Sequence, residues 1–177
     1  MSRICLLGGP GSGKSTTAAW LFSELKIADC SVELVSEFCK TWAVQNKPIK
    51  KWDQVYVFSS QMQQEYQFLS YGVKNIITDS PTLLGAVHGK FYHPESIMWK
   101  SILDLNKEYE KDHPSINIFL NRGNNPYIQE GRYQSYGDAM RIDESILNFM
   151  NENEIGYKEV NYQNRKLILE IALKNVE

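Results

Sequence analysis

Cysteine is scarce in this 177-residue chain: Cys5, Cys30 and Cys39 are the only three, and no two are spaced as a CxxC pair. An odd, unpaired set argues against a disulfide framework and against a structural zinc site, and suits reduced thiols in a cytoplasmic compartment. Long hydrophobic runs are missing too. No stretch is long enough to span a bilayer, and the apolar run after Met-Ser-Arg is too short for a secretory leader, so no membrane partner is expected. Nor is there an excess of charge of one sign. Nineteen Lys and Arg stand against 21 Asp and Glu, a net charge of −2. A protein that grips long nucleic acid non-specifically needs a positive surface, so any such contact would be local. His88 and His93 flank Lys90-Phe91-Tyr92 without metal-ligand spacing, which argues against zinc there. With no repeat, linker or low-complexity tract, residues 1–177 read as a single domain with a real hydrophobic core.

What is present is alternation. Short apolar runs at Arg3 to Leu7, Val32 to Val35, Asn75 to Thr78, Ile116 to Leu120 and Tyr157 to Val160 read as buried strands. Helical patterns separate them: Lys14 to Leu25, Glu37 to Gln45, Asp53 to Leu69 with Asp53 near its N-cap, Glu95 to Glu110, Asp138 to Met150, and Arg165 to Leu173. Pro81 suits the first turn of another helix. Strands alternating with helices predict a parallel α/β sheet covered on both faces. The segment from Arg122 to Tyr136, rich in Gly, Asn, Gln and Arg, has no period and reads as a loop.

The most specific signal is Gly8-Gly9-Pro10-Gly11-Ser12-Gly13-Lys14-Ser15, a complete P-loop spacing placed between a strand and a helix. Glycines let backbone N–H groups turn inward around an anion, and the helix start adds its positive dipole end. Gly9, Gly11, Ser12 and Gly13 form the cradle. Lys14 supplies a point charge to the terminal phosphates, the Ser15 hydroxyl is placed to ligate Mg²⁺, and Thr16 supports the α-phosphate side. The expected ligand is a nucleoside triphosphate. The motif alone does not specify a reaction.

In open parallel sheets, ligands lie beyond the carboxyl ends of the strands. Glu37 follows the second strand and Asp79 the third, so both are expected near the phosphates. Asp79 is the candidate for the metal shell, although it also suits a helix cap before Ser80-Pro81. Glu37 is the candidate base that orients an acceptor hydroxyl; the bland alternative is a solvated first-turn residue. Arg122, Arg132 and Arg141 bracket the irregular segment, and a lid over about residues 122–136 bearing them would stabilise charge on a transferring phosphoryl group. Arg132, beside Gly131, is the first choice and Arg141 the second; ordinary surface arginines are the alternative. Between the second and third strands, Phe38, Trp42, Tyr56, Phe58, Gln61, Met62, Gln64 and Tyr66 offer aromatic faces and amides for a flat acceptor, although most such residues belong to cores. Phe38, Trp42, Gln61 and, further on, Tyr92 are the candidate substrate contacts.

The order GGPGSGKST, VELVSEFCKTWA, SSQMQQE, IITDSP, an Arg-rich segment and YKEVNYQNR resembles the nicotinamide-riboside-kinase-like P-loop family. That group includes the kinase domain of bifunctional NAD-biosynthesis regulators and is distantly similar to deoxynucleoside and nucleoside monophosphate kinases. The resemblance spans nearly the whole chain, with only the P-loop highly specific. It implies a three-layer α/β/α fold with a five-stranded parallel sheet in the order 2-3-1-4-5. It also implies ATP and Mg²⁺ as donor, and a carboxylate after the second strand, a position Glu37 occupies. Asp79 carries over by position, and Arg165 resembles the residue bordering the adenine. Deoxynucleoside kinases carry an acid-Arg-Ser motif after the third strand; here the residues are Asp79-Ser80-Pro81. Compact kinases of this kind are also similar to virus-encoded enzymes that phosphorylate hydroxymethylated pyrimidines in DNA, and Lys47, Lys50, Lys51 and Trp52 form a local basic-aromatic patch.

The expectation is therefore an ATP-dependent kinase that transfers the γ-phosphate to a hydroxyl of a nucleoside, nucleotide or modified pyrimidine. The partner is a small-molecule acceptor; oligomers are compatible. The rivals are a kinase acting on a hydroxymethylated base within DNA, and a P-loop NTPase switch or regulatory module.

Overall fold

The computed structural model describes the chain apart from Met1, Asn125, Gln129, Gly131 and Glu177. Gly131 and part of the 122–136 segment thus lie outside the described residues. Five strands, β1 Ser2–Leu7, β2 Val32–Val35, β3 Asn75–Asp79, β4 Ser115–Asn121 and β5 Lys158–Asn161, form one sheet in the order β2-β3-β1-β4-β5. All four pairings are parallel. Helices α1 Lys14–Ile27, α2 Lys40–Val44, α3 Asp53–Ser70, α4 Leu83–Tyr92, α5 Met98–Asp112, α6 Tyr136–Glu152 and α7 Arg165–Leu173 make the connections.

The burial of each strand follows its place in the sheet. Ile4, Cys5, Leu6 and Leu7 of central β1 are buried on both faces, and so is every residue of β3. On the edge strand β5 only Val160 is buried; Lys158, Glu159 and Asn161 are exposed, charge and amide groups that discourage pairing with another chain. One core joins Ile4, Leu6, Ile77, Ile118 and Leu120 to Leu21 and Leu25 of α1 and Ile168 of α7. The other joins Leu7 and Phe119 to Phe58 of α3 and to α4, α5 and α6 through Val87, Ile102, Ile146 and Phe149. The result is the three-layer α/β/α fold of P-loop NTPases.

Some boundaries differ from the sequence expectation, each for a local reason. Helix α2 begins at Lys40 rather than Glu37, so Glu37 sits on a turn. Asp53, expected near the N-cap of α3, is its first helical residue, and its carboxylate accepts from Lys50 N at 2.9 Å. Helix α5 starts at Met98, after a turn in which Ser96 Oγ accepts from Met98 N. Helix α6 starts at Tyr136, because Ser135 and Asp138 form a reciprocal capping box. Strand β5 begins one residue late, at Lys158.

The largest fully buried side chain is a cation. Arg3, 1% exposed, lies near the start of β1. Its Nε and Nη2 reach Glu65 Oε2 at 2.9 Å, and Nη2 also donates to Thr82 Oγ1 at 3.1 Å. Nη1 donates to Glu110 Oε1 and His113 O, both at 2.9 Å. Arg3 thus makes four side-chain hydrogen bonds, and Nη2 adds an ion-pair contact with Glu65. Removing one member of a buried pair leaves an uncompensated charge, at a cost of about 3–5 kcal/mol. Arg3→Met strands Glu65, which is fully buried, and is expected to lower the unfolding free energy by about that amount, measured by urea titration at neutral pH.

Candidate nucleotide and acceptor site

β1 ends at Leu7, and residues 8–13 turn back over the sheet into α1. Gly13 has φ +92, and an added Cβ would meet the Tyr162 ring at 3.0 Å, so both conformation and space demand glycine. Gly9 has no such dihedral, but a Cβ there would lie 2.7 Å from Ala139 O and 2.8 Å from Asp143 Oδ1. Asp143 on α6 is the reason. Its Oδ1 accepts from Gly9 N at 2.5 Å, and its Oδ2 takes Arg122 Nε at 2.6 Å. Arg122 also donates to Pro10 O and Ala139 O. A buried ion pair thus ties the outer arc of the phosphate loop to α6.

Lys14 bends back over its own loop, donating to Gly8 O at 2.8 Å and Gly9 O at 3.1 Å. Beside it opens a cavity of about 720 Å³ lined by Gly11, Gly13, Lys14, Ser15, Thr16 and Glu37, among others. Its far wall comes from Gln54 and Val57 of α3 and from Leu84, His88 and Tyr92 of α4. Arg132, Tyr133 and Gln134 of the 122–136 segment also line it. That segment spans the cavity: Tyr127 packs on Gly11, Gln134 Nε2 donates to Tyr92 OH at 2.9 Å, and Tyr133 OH donates to Lys47 O. The Arg132 guanidinium lies over the Tyr127 ring.

Of the predicted site residues, Gly11, Gly13, Lys14, Ser15, Thr16, Glu37, Tyr92 and Arg132 come together on this cavity. Gly9 and Ser12 support the loop from behind; Ser12 is fully buried, with no partner for its hydroxyl among the described residues. Asp79, at the carboxyl end of β3, is buried, and its Oδ1 is without a hydrogen-bond partner among the described residues. The remaining candidates differ from expectation. Arg122 uses its donors to hold α6 against the phosphate loop. Arg141 is exposed and pairs with Asp138 one turn back on α6. Arg165 is exposed at the start of α7, its guanidinium over the Trp20 ring. Phe38 and Trp42 lie off the cavity wall, packing with Tyr56 at centroid distances of 5.5 to 6.1 Å and bracing α2 against α3. Gln61 is 4% exposed, and its amide is engaged by Ser36 O, Phe38 N and Thr78 Oγ1. Sequence reasoning missed Asp143, one residue after the expected apolar position Ile142; His88, read as a surface or pocket residue, lines the cavity. The Ser135–Asp138 spacing was a readable signal for the start of α6.

Three ionisations bear on the site. Burial, then the Glu37 carboxylate, pushes the Cys39 thiol up to about 12, and its Sγ–H donates to Glu37 Oε1 at 3.4 Å. Hydrogen bonds from Ser135 and then Arg141 hold Asp138 down at about 2. Burial, then the Lys14 cation, lowers His88 to about 4. Among the described residues no group of three or more His, Cys, Asp or Glu could hold a metal ion by itself, and no helix is long and apolar enough to cross a membrane.

The sequence matches a family model described as AAA domain over residues 3–165. The chain belongs to the AAA domain family. No curated protein matches it. Among solved structures, this AAA-domain chain is similar to deoxyadenosine kinase from M. mycoides with bound dATP, at a TM-score of 0.64, 16% identity and 97% coverage of both chains. It is likewise similar to the same kinase with the products dCMP and a flexible dCDP bound, at a TM-score of 0.62, 15% identity and 97% coverage of both chains. The fold is thus that of the P-loop, deoxynucleoside-kinase-like group.

Two outcomes are expected. Asp143→Ala strands the buried Arg122 guanidinium and should lower the unfolding free energy by about 1–3 kcal/mol, read by urea titration. His88 gives a pH dependence of known sign. The unfolded imidazole, at its ordinary 6.5, takes a proton before the folded one at about 4. Its stabilising contribution is complete above about pH 6.5 and is lost progressively down to about pH 4. Urea midpoints should fall less over this window in His88→Gln than in the parent chain.

Proposed function

We propose that this protein is an ATP-dependent kinase that transfers the γ-phosphate to a hydroxyl of a nucleoside, nucleotide or modified pyrimidine. The observation that carries the reading is one cavity whose lining includes Lys14 and Ser15 of the phosphate loop, Glu37, and residues of both α3 and α4. A hydrolase or switch needs room for phosphates and water; a cavity of about 720 Å³ that α3 and α4 also line has room for a second organic substrate.

In this reading the acceptor oxygen attacks the γ-phosphorus. The bond to the β–γ bridging oxygen breaks, ADP leaves, and the acceptor's proton passes to the Glu37 carboxylate. Lys14 leaves its own loop carbonyls for the terminal phosphates. Arg132 stabilises charge on the transferring group, and the 122–136 segment acts as a lid that keeps water out. The residues present fit a phosphate-borne Mg²⁺: the Ser15 hydroxyl and the buried Asp79 oxygen that has no hydrogen-bond partner among the described residues would be its hard donors, since magnesium takes few protein ligands when phosphates complete its shell. Bound there, Mg²⁺ would neutralise negative charge on the phosphates.

The test is ATP turnover against nucleosides, mononucleotides and hydroxymethylated oligonucleotides, with phosphorylated product read by mass spectrometry. Lys14→Ala should abolish transfer, and Glu37→Gln should lower kcat by about 10² or more with little change in the KM for ATP. ATP hydrolysis with no acceptor gaining phosphate would overturn the kinase reading.

A further inference from the structure

Glu37 lies on a turn, and turns wander unless something holds them. One side chain holds this one from both sides. Gln61 Oε1 accepts from Phe38 N at 2.8 Å, and Gln61 Nε2 lies 3.3 Å from Ser36 O as donor. The two backbone groups that flank Glu37 are therefore clamped by a single amide on α3. We propose that Gln61 is the positioning residue for Glu37, fixing the turn so that the carboxylate faces the acceptor hydroxyl. This rests on the reading of Glu37 as the catalytic base.

The amide has only one way to face. Thr78 Oγ1 donates its proton to Glu65 Oε1 at 3.0 Å, so towards Gln61 it presents a lone pair. Only Nε2 can approach it, and does so at 3.4 Å. The amide oxygen is thereby turned to Phe38 N–H. Glu65 is held as an acceptor in turn by the Arg3 guanidinium on its other oxygen. Gln54, Gln61 and Glu65 are buried on α3, but Gln54 lines the cavity and Gln61 does not. A glutamine that read the acceptor ring would need its amide free on the cavity side; this one is occupied by the turn.

A 1 Å displacement of a catalytic group costs up to about 10² in rate. Gln61→Leu is accordingly expected to lower kcat about tenfold to a hundredfold while the KM values for ATP and acceptor stay within about twofold. The discriminating measurement repeats the substitution in the Glu37→Gln background. A residue that acts through Glu37 has little left to lose there, so kcat should change less than about twofold. If Gln61→Leu fails to fold, Gln61→Met takes its place: it keeps the unbranched shape and volume, loses both contacts to the turn, and should give the same loss in kcat with unchanged KM. A rise in acceptor KM without loss of kcat would overturn the proposal in favour of ring recognition. Equal losses in both backgrounds would overturn it in favour of a general structural role. If Glu37→Gln alone leaves transfer intact, the base reading fails. If Glu37→Gln collapses transfer and Gln61→Leu does not, only the positioning role fails.

Discussion

A guanidinium buried at the amino end of the central strand must find a partner for each of its N–H groups, and the need spreads through the molecule. Arg3 draws Glu65 from α3, Glu110 from the end of α5, His113 O from the turn before β4, and Thr82 from the turn after β3. Three segments distant in sequence, α3, the turn after β3 and the α5–β4 junction, are thus gathered by one side chain. The Tyr109 ring covers it at 4.5 Å. Hydrophobic packing would tolerate small slips of α3 along the sheet; a charge-assisted network with these distances would not. The consequence at the other end of the strands is a defined placement for Gln61 and Thr78, and so for the turn that carries Glu37.

The phosphate loop depends on a second buried pair. P-loop spacing explains how residues 8–15 can wrap an anion, but not what keeps the loop open over the sheet. Arg122 and Asp143 do that, and they link it to α6, whose first turn is capped where the 122–136 segment ends. A displacement of α6 is therefore felt at Gly9. Tyr133 and Gln134 of the same segment touch Lys47 and Tyr92. The two halves of the cavity share one roof, hung from α6.

Much of this was legible in the sequence for a physical reason. Period-two and continuous apolar runs report burial directly, so all five strands were found within about a residue or two. The P-loop is legible because few backbones can cradle phosphate and glycine is required in them. Strand order came through resemblance, since nothing in local pattern distinguishes one parallel crossover arrangement from another. Arg3 was read as the start of an apolar run. Its charge is buried because partners 62 and 107 residues away converge on it, and no window of sequence contains that information. Asp143 escaped for the same reason: it looks like an ordinary polar residue beside an apolar helix stripe.

The aromatic and amide residues between β2 and β3 show how composition misleads about role. Phe38, Trp42 and Tyr56 have faces suited to a ring, yet Trp42 stacks on Tyr56 and Phe38 meets both edge-on, with Lys47 over Trp42 at 3.3 Å. Gln61 has an amide suited to a base, yet it is spent on the backbone. The cavity wall is instead made by residues of plainer appearance, Gln54, Val57, Leu84 and His88, and by Ser80. Ser80 has φ +65 directly before a proline, where left-handed backbone is disfavoured twice over. Such a conformation persists only where its surroundings over-determine it. Here Asp79 is locked in register with Leu6 on one side, and Thr82 is held by Arg3 and Asn106 on the other. The strain at Ser80 is the local cost of turning the chain sharply after Asp79, and it leaves the Asp79 carboxylate at the strand end, where the phosphate loop begins its own turn two residues beyond Leu6.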